Sequence, residues 1–179
     1  MGKVFAIVLV VTIAMIVVLQ FIDPNVVNDA TQATTQLVDS GSISVTIEGE
    51  ITRAGTYMMD PNTTLANLIE VASGVTSNAD ELAYDTSYVL KDSLSFYIAP
   101  KYDNSDVCSL EPIQKVNIND DDATKLATVS GISSTIASKI VSYRTSNGRF
   151  GRIEDVKEVS GIGNATFEKI KNYIVLRAA

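Results

Sequence analysis

The sequence predicts a multi-domain chain: an N-terminal transmembrane helix, a small α+β domain and an all-α C-terminal domain. Three observations predict this. Residues 4–19 are apolar except for Thr12. Ile43, Val45 and Ile47 alternate with polar residues over 43–48. Val129-Ser130-Gly131-Ile132-Ser133 recurs as Val159-Ser160-Gly161-Ile162-Gly163, a shift of thirty positions.

The apolar run, extended by Phe21 and Ile22, approaches the ~20 residues that cross a hydrocarbon layer as a helix. It exceeds the ~7–15 apolar residues of a signal-peptide core, and Gln20-Phe21-Ile22-Asp23-Pro24 does not resemble a small-residue cleavage site. Residues 1–22 therefore read as a retained anchor. Lys3 precedes the span, whereas Asp23, Asp29 and Asp39 follow it. Positive charge stays inside, so the expected protein is single-pass in the cell membrane, N-terminus cytoplasmic and later domains extracellular. Residues 23–42 are polar, without periodicity, and read as a flexible spacer.

Residues 43–102 read as the α+β domain. Ile43–Glu48 has the period-2 pattern of a half-buried strand. Tyr57–Met59 resumes a strand after Ala54-Gly55, and Asp60-Pro61-Asn62 makes a turn. Thr63 or Thr64 caps a helix over Leu65–Ser73, which Gly74 stops. Short strands follow at Tyr88–Leu90 and Ser95–Ile98. "VTIEGEITRAGTY", "VASGV" and "LKDSLSFYIAP" together resemble the soluble-ligand-binding β-grasp (SLBB) module. Ala54-Gly55 stands where that family has Pro-Gly, and Asp92-Ser93 where it has Asp-Gly. Residues 103–114, polar and containing Pro112, form a second linker, and from Lys115 the pattern is helical.

Whole-chain composition argues against a nucleic-acid partner: the net charge is −7 and the pI about 4.5. The charge is unevenly spread. Residues 41–105 hold three basic and nine acidic side chains, whereas 115–179 hold ten basic and seven acidic. The absence of histidine and the single cysteine, Cys108, exclude a His/Cys zinc site and an intrachain disulfide. Cys108 reads as a linker bystander. Asn119 followed by Asp122 reads as a helix N-cap with acidic residues in the first turn, and no cofactor is expected.

The thirty-residue repeat extends to Lys139-Ile140 and Lys169-Ile170, and to Tyr143 and Tyr173. A fixed offset marks one supersecondary unit used twice. Each copy reads as a helix (Ala123–Val129; Ile153–Val159), a glycine turn and a second helix. Ile136, Ile140 and Val141 lie on one face of the first copy's second helix, and Phe167, Ile170 and Ile174 on that of the second. The first copy's helix runs to Tyr143 or Arg144, before Ser146-Asn147-Gly148 breaks the chain. Ile132 and Ile162 are expected to be buried, and Tyr143 and Tyr173 to pack in the core. The turn glycines admit unusual backbone and close approach, and a helix start offers unpaired N–H groups to an anion.

These residues resemble a tandem helix-hairpin-helix domain over 115–179. Ser133 departs from the family's Gly-hydrophobic-Gly pattern. Lysine is common three residues past the hairpin in the family; Ile136 and Thr166 stand there, with Lys139 and Lys169 one turn on. The resemblance implies double-stranded DNA as partner, and Gly131, Ile132, Ser133, Ser134, Lys139, Gly161, Ile162, Gly163, Asn164, Lys169, Arg149 and Arg152 as the DNA-binding residues. Phosphate contact positions without reading sequence.

The full order of parts resembles the ComEA-type competence DNA receptors of Gram-positive bacteria. That resemblance implies capture of transforming DNA outside the cell and transfer to uptake-channel proteins. The acidic β-grasp region is expected to self-associate or dock a partner. An enzyme of the DNA-glycosylase kind is not expected, because sixteen residues after Gly163 leave no room for its catalytic pocket. A surface module that self-associates or accompanies polysaccharide, with DNA binding secondary, is the alternative; it leaves the repeat unexplained.

Overall fold

Alternation along β1 (Ile43–Gly49) buries Val45 and Ile47 and leaves Thr46 partly exposed. β1 is the middle strand of a three-stranded sheet in the order β2-β1-β3. β2 (Gly55–Met59) runs antiparallel to it, with Val45 opposite Tyr57. β3 (Leu94–Ile98) runs parallel to it, with Ile47 opposite Phe96. The crossover from β2 to β3 carries α1 (Leu65–Val71), whose Leu65 and Leu68 close the core over the sheet. Thr64 is the N-cap of α1: its N–H and its hydroxyl both donate to Asn67 Oδ1, at 3.0 and 2.9 Å. The helix is shorter than expected and ends at Val71.

The computed structural model describes residues 41–103 and 111–178. The expected anchor, nearly all of the expected spacer, and Cys108 lie outside the described residues. Among the described residues no helix is long and apolar enough to cross a membrane. Tyr88–Leu90 is not a strand: Val89 makes one isolated bridge to Thr64, and Leu90 N–H reaches Thr63 O. Ser93, in the late turn where the β-grasp family has glycine, takes a φ of 61°.

The repeat builds a second core. Its elements are α2 (Ala123–Leu126), α3 (Ser134–Asn147), a 3-10 helix (Ile153–Glu158) and α4 (Asn164–Ile170). Leu126, Ile140, Ile153, Val156 and Ile170 meet there, fully or almost fully buried. Two elements differ in kind from expectation. The second copy opens with a 3-10 helix rather than an α-helix, and Ile174 lies in a strand, not on a helix face. That strand, β5 (Ile174–Val175), pairs in parallel with β4 (Val116–Asn117), joining the two ends of the repeat domain. Asp122 is the N-cap of α2, accepting from Lys125 N–H at 2.8 Å. Asn119 is instead buried. Its amide accepts from Phe150 N–H at 2.8 Å and donates to Phe150 O and Leu176 O, each at 3.1 Å.

Residues 42–179 cluster as one unit, and the seam between sheet and repeat is polar as well as apolar. Buried Glu154, on the 3-10 helix, accepts from Tyr97 N–H on β3. Arg152 donates to Ser95 O at 2.9 Å and lies 5.7 and 5.4 Å from the Tyr88 and Phe96 ring centres. Leu176 N–H reaches Leu82 O, and the Lys115 ammonium pairs with Asp80 at 2.7 Å in a buried position. The outer edge of β3 is thus covered by the second copy.

Candidate nucleic-acid interface

The two hairpins have nearly the same backbone. Gly131 has φ 105° and Gly161 φ 106°, a region that L side chains resist. Behind each glycine the chain closes the same way: Ile132 N–H donates to Val129 O, and Ile162 N–H to Val159 O, both at 2.9 Å. Both isoleucines are 3% exposed. They therefore turn side chain and N–H inward, and their part is to pin the turn to the core. Burial repeats position by position from 128–141 to 158–171. Gly131, Ser133 and Ser134, like Gly161, Gly163 and Asn164, are exposed.

The third hairpin position explains the serine–glycine difference. Ser133 and Gly163 are both N-caps in extended backbone, with φ −72° and −95°. Neither demands glycine. The Ser133 hydroxyl accepts from Ile136 N–H at 3.3 Å, so serine there serves as a cap. Nothing lies within 4 Å of a Cβ built on Gly163. Glycine at that point keeps the surface open to another molecule.

The copies face each other crosswise. A Cβ on Gly131 meets Ile170 Cγ2 at 3.0 Å and Lys169 Cβ at 3.6 Å, whereas one on Gly161 meets Ile136 Cγ1 and Lys139 Nζ at 3.8 Å. Each lysine therefore flanks the other copy's hairpin. Lys139 donates to Ser160 O at 3.0 Å. Lys169 is exposed and has neither hydrogen-bond nor ion-pair partner among the described residues.

The two arginines expected at the interface both have partners within the fold. Arg149 is exposed, and both its terminal nitrogens bind Asp120, at 2.7 and 2.9 Å. That hydrogen-bonded guanidinium holds the Asp120 carboxyl below its usual range. Arg152 is turned into the seam with β3 and paired with Asp155 at 2.5 Å; its fork is committed within the fold. Arg144 is committed as well, donating to Ile118 O and Asp121 O at 2.8 and 2.7 Å.

The two tyrosines differ. Tyr143 is partly buried and stacks on Phe150, with ring centres 5.1 Å apart and planes at 12°. Tyr173, expected in the core, is 40% exposed. β5 begins directly after it and turns the chain, so the ring that a continued helix buries stays outside.

A model of the helix-hairpin-helix motif matches residues 111–175, and one of the SLBB domain matches residues 44–83. ComE operon protein 1 of Bacillus subtilis (strain 168) is 34% identical over 145 residues, spanning 76% of this chain and 71% of that protein. An uncharacterized protein of Haemophilus influenzae is 40% identical over 62 residues, 34% of this chain and 55% of that one. The endonuclease/exonuclease/phosphatase family domain-containing protein 1 of Xenopus laevis is 38% identical over 58 residues, 32% of this chain and only 10% of that protein. The last likeness is too short to bring an enzymatic domain with it. Two matched domains in one chain, and a relative that shares most of its length, settle the family: this chain belongs to the ComEA-type competence proteins, which are DNA-binding.

Proposed function

We propose that this chain is a membrane-anchored receptor, facing outward, that holds double-stranded DNA by its phosphate backbone, without sequence preference, for uptake. The observation that carries this reading is the duplicated hairpin: two exposed glycine turns with φ of 105° and 106°, each opening a helix. Early helix N–H groups lack intrahelical partners, and main-chain donors of this kind bind phosphate oxygens whatever the base. The apolar run before Asp23 supports the anchor. The three-to-nine charge balance of residues 41–105 keeps DNA off the sheet region and favours for it a role in self-association, or in docking the uptake channel.

Grip on phosphates through lysines and main-chain amides is salt-sensitive, with log K falling by about 0.9 per phosphate neutralised for each unit of log salt. One copy binds weakly, on the order of 10⁻⁴–10⁻⁶ M as for non-specific binding, and many copies on one surface raise avidity. The test is duplex binding across a salt series by wild type and by the Gly161→Val, Gly163→Val double variant. The reading expects a steep salt dependence and at least a tenfold loss in the variant. Salt-independent binding, or equal affinity in the folded variant, overturns it.

A further inference from the structure

The two hairpins are alike in backbone but not in the side chains beside them. Lys139, on the second hairpin's flank, is tied to Ser160 O, and Tyr143, one turn further along the same helix, is stacked on Phe150. The equivalent side chains on the first hairpin's flank are Lys169 and Tyr173. They are unengaged in this way, and with Ser130 they line one open recess of about 370 Å³. Resting on the DNA-receptor reading above, we infer that Ser130, Lys169 and Tyr173 form a phosphate-contact recess beside the first hairpin. The first hairpin therefore carries the larger share of the grip, although it is the one with serine at its third position.

The placement of Tyr173 argues for contact rather than chance exposure. Its main chain is fixed on both sides: its N–H donates to Ile170 O at 2.8 Å, and its carbonyl accepts from Val116 N–H at 2.9 Å. The ring is nevertheless 40% exposed. A side chain held at its root and free at its tip loses little freedom on binding. Tyrosine hydroxyls and lysine ammoniums are regular donors to phosphate and sugar oxygens. Lys169 brings an uncommitted positive charge to the same recess, whereas Lys139 must leave Ser160 O before it can serve a phosphate.

The experiment uses the full-length chain in mild detergent and random-sequence duplex DNA. Tyr173→Phe removes only the hydroxyl, and Tyr173→Ala the whole ring. Because hydrogen bonds to charged groups are the stronger class, Tyr173→Phe is expected to bind about tenfold more weakly. Lys169→Ala is expected to lose a similar factor and to make the salt slope shallower by about 0.9, a change that loss of packing does not produce. Lys139→Ala is expected to cost less than about threefold, its ammonium being held on the protein at the start. The protein has no tryptophan, so Tyr173→Trp and Tyr143→Trp each give a single reporter; DNA should change the emission of the first and not the second. Wild-type affinity in Tyr173→Phe and Tyr173→Ala overturns the proposal. So does a loss in Lys139→Ala equal to or greater than that in Lys169→Ala. If these variants bind normally while the hairpin-glycine variant fails, the recess is wrong and the receptor reading stands; if wild type does not bind duplex at all, the receptor reading itself falls.

Discussion

The first copy of the repeat and the second share their turns but differ in what surrounds them. Position 122, the cap of α2, is aspartate; thirty residues on, the same place is Arg152, turned onto the sheet. Position 124 is an exposed threonine, and its counterpart Glu154 is buried against β3. Position 143 stacks inside, and its counterpart Tyr173 lies outside. Duplication keeps the main-chain geometry of the hairpins and frees the remaining positions to differ. The second copy has used that freedom to bind the sheet, the first to stay a simple capped helix pair.

Substitutions at equivalent positions should therefore differ in cost. The largest effect is expected at Gly131. Valine there takes on a left-handed backbone, costing about 1–3 kcal/mol, and drives its Cβ to 3.0 Å from buried Ile170, adding about 1–3 kcal/mol of overpacking. Gly161→Val carries the strain alone, since its nearest contacts are at 3.8 Å. Denaturant melts should rank Gly131→Val below Gly161→Val, and equal stabilities contradict the crosswise packing.

Next comes Glu154. Burial pushes its carboxyl up to about 7 from 4.5. The folded state thus holds a proton that the unfolded state releases between those values, so this residue's contribution falls as pH rises from about 4.5 through about 7. The loss is roughly 3 kcal/mol at 1.36 kcal/mol per unit. Glu154→Gln keeps an acceptor for Tyr97 N–H and should flatten that part of the stability–pH curve. Thr124→Gln, at the equivalent place, should leave the curve unchanged. A wild-type curve that is flat between pH 5 and 7 rejects the assignment.

Smaller again is Asp122→Ala, which removes a cap bonded to Lys125 N–H at 2.8 Å and should cost about 1 kcal/mol by thermal melting. Smallest is Gly163→Ser, which makes the second hairpin like the first. With extended backbone and open space at that position, the change should stay within about 0.5 kcal/mol, and a larger loss means the third positions are not interchangeable.

Much of this was legible in the sequence because it rests on local pattern. Period-2 alternation marked β1, Thr63 or Thr64 before an apolar stripe marked α1, and the thirty-residue echo marked both hairpins and the burial of Ile132 and Ile162. What the sequence hid depends on contacts remote along the chain. β4 and β5 have two residues each and are paired across the whole repeat domain, too short for any periodicity. Asn119 resembled a cap because its partners, Phe150 and Leu176, are far away in sequence. Arg149 and Arg152 read as DNA-binding candidates; one is paired with Asp120, the other packed on β3. Glu154 drew no attention in the sequence, because nothing nearby in the chain announces that Tyr97 lies over it. Tyr173 followed the repeat into an expected core position, and the turn into β5 broke the analogy.

Duplex binding by the Gly163→Val variant beside wild type, over a range of salt, tests the hairpin's grip on phosphate most sharply. A Cβ fits that position without strain or contact, so the fold is expected to stay while a branched side chain stands where the proposed DNA contact lies. An unchanged melting temperature, severalfold weaker binding and a wild-type affinity that falls steeply with salt are expected. Undiminished capture by the folded variant, or wild-type affinity indifferent to salt, contradicts that grip.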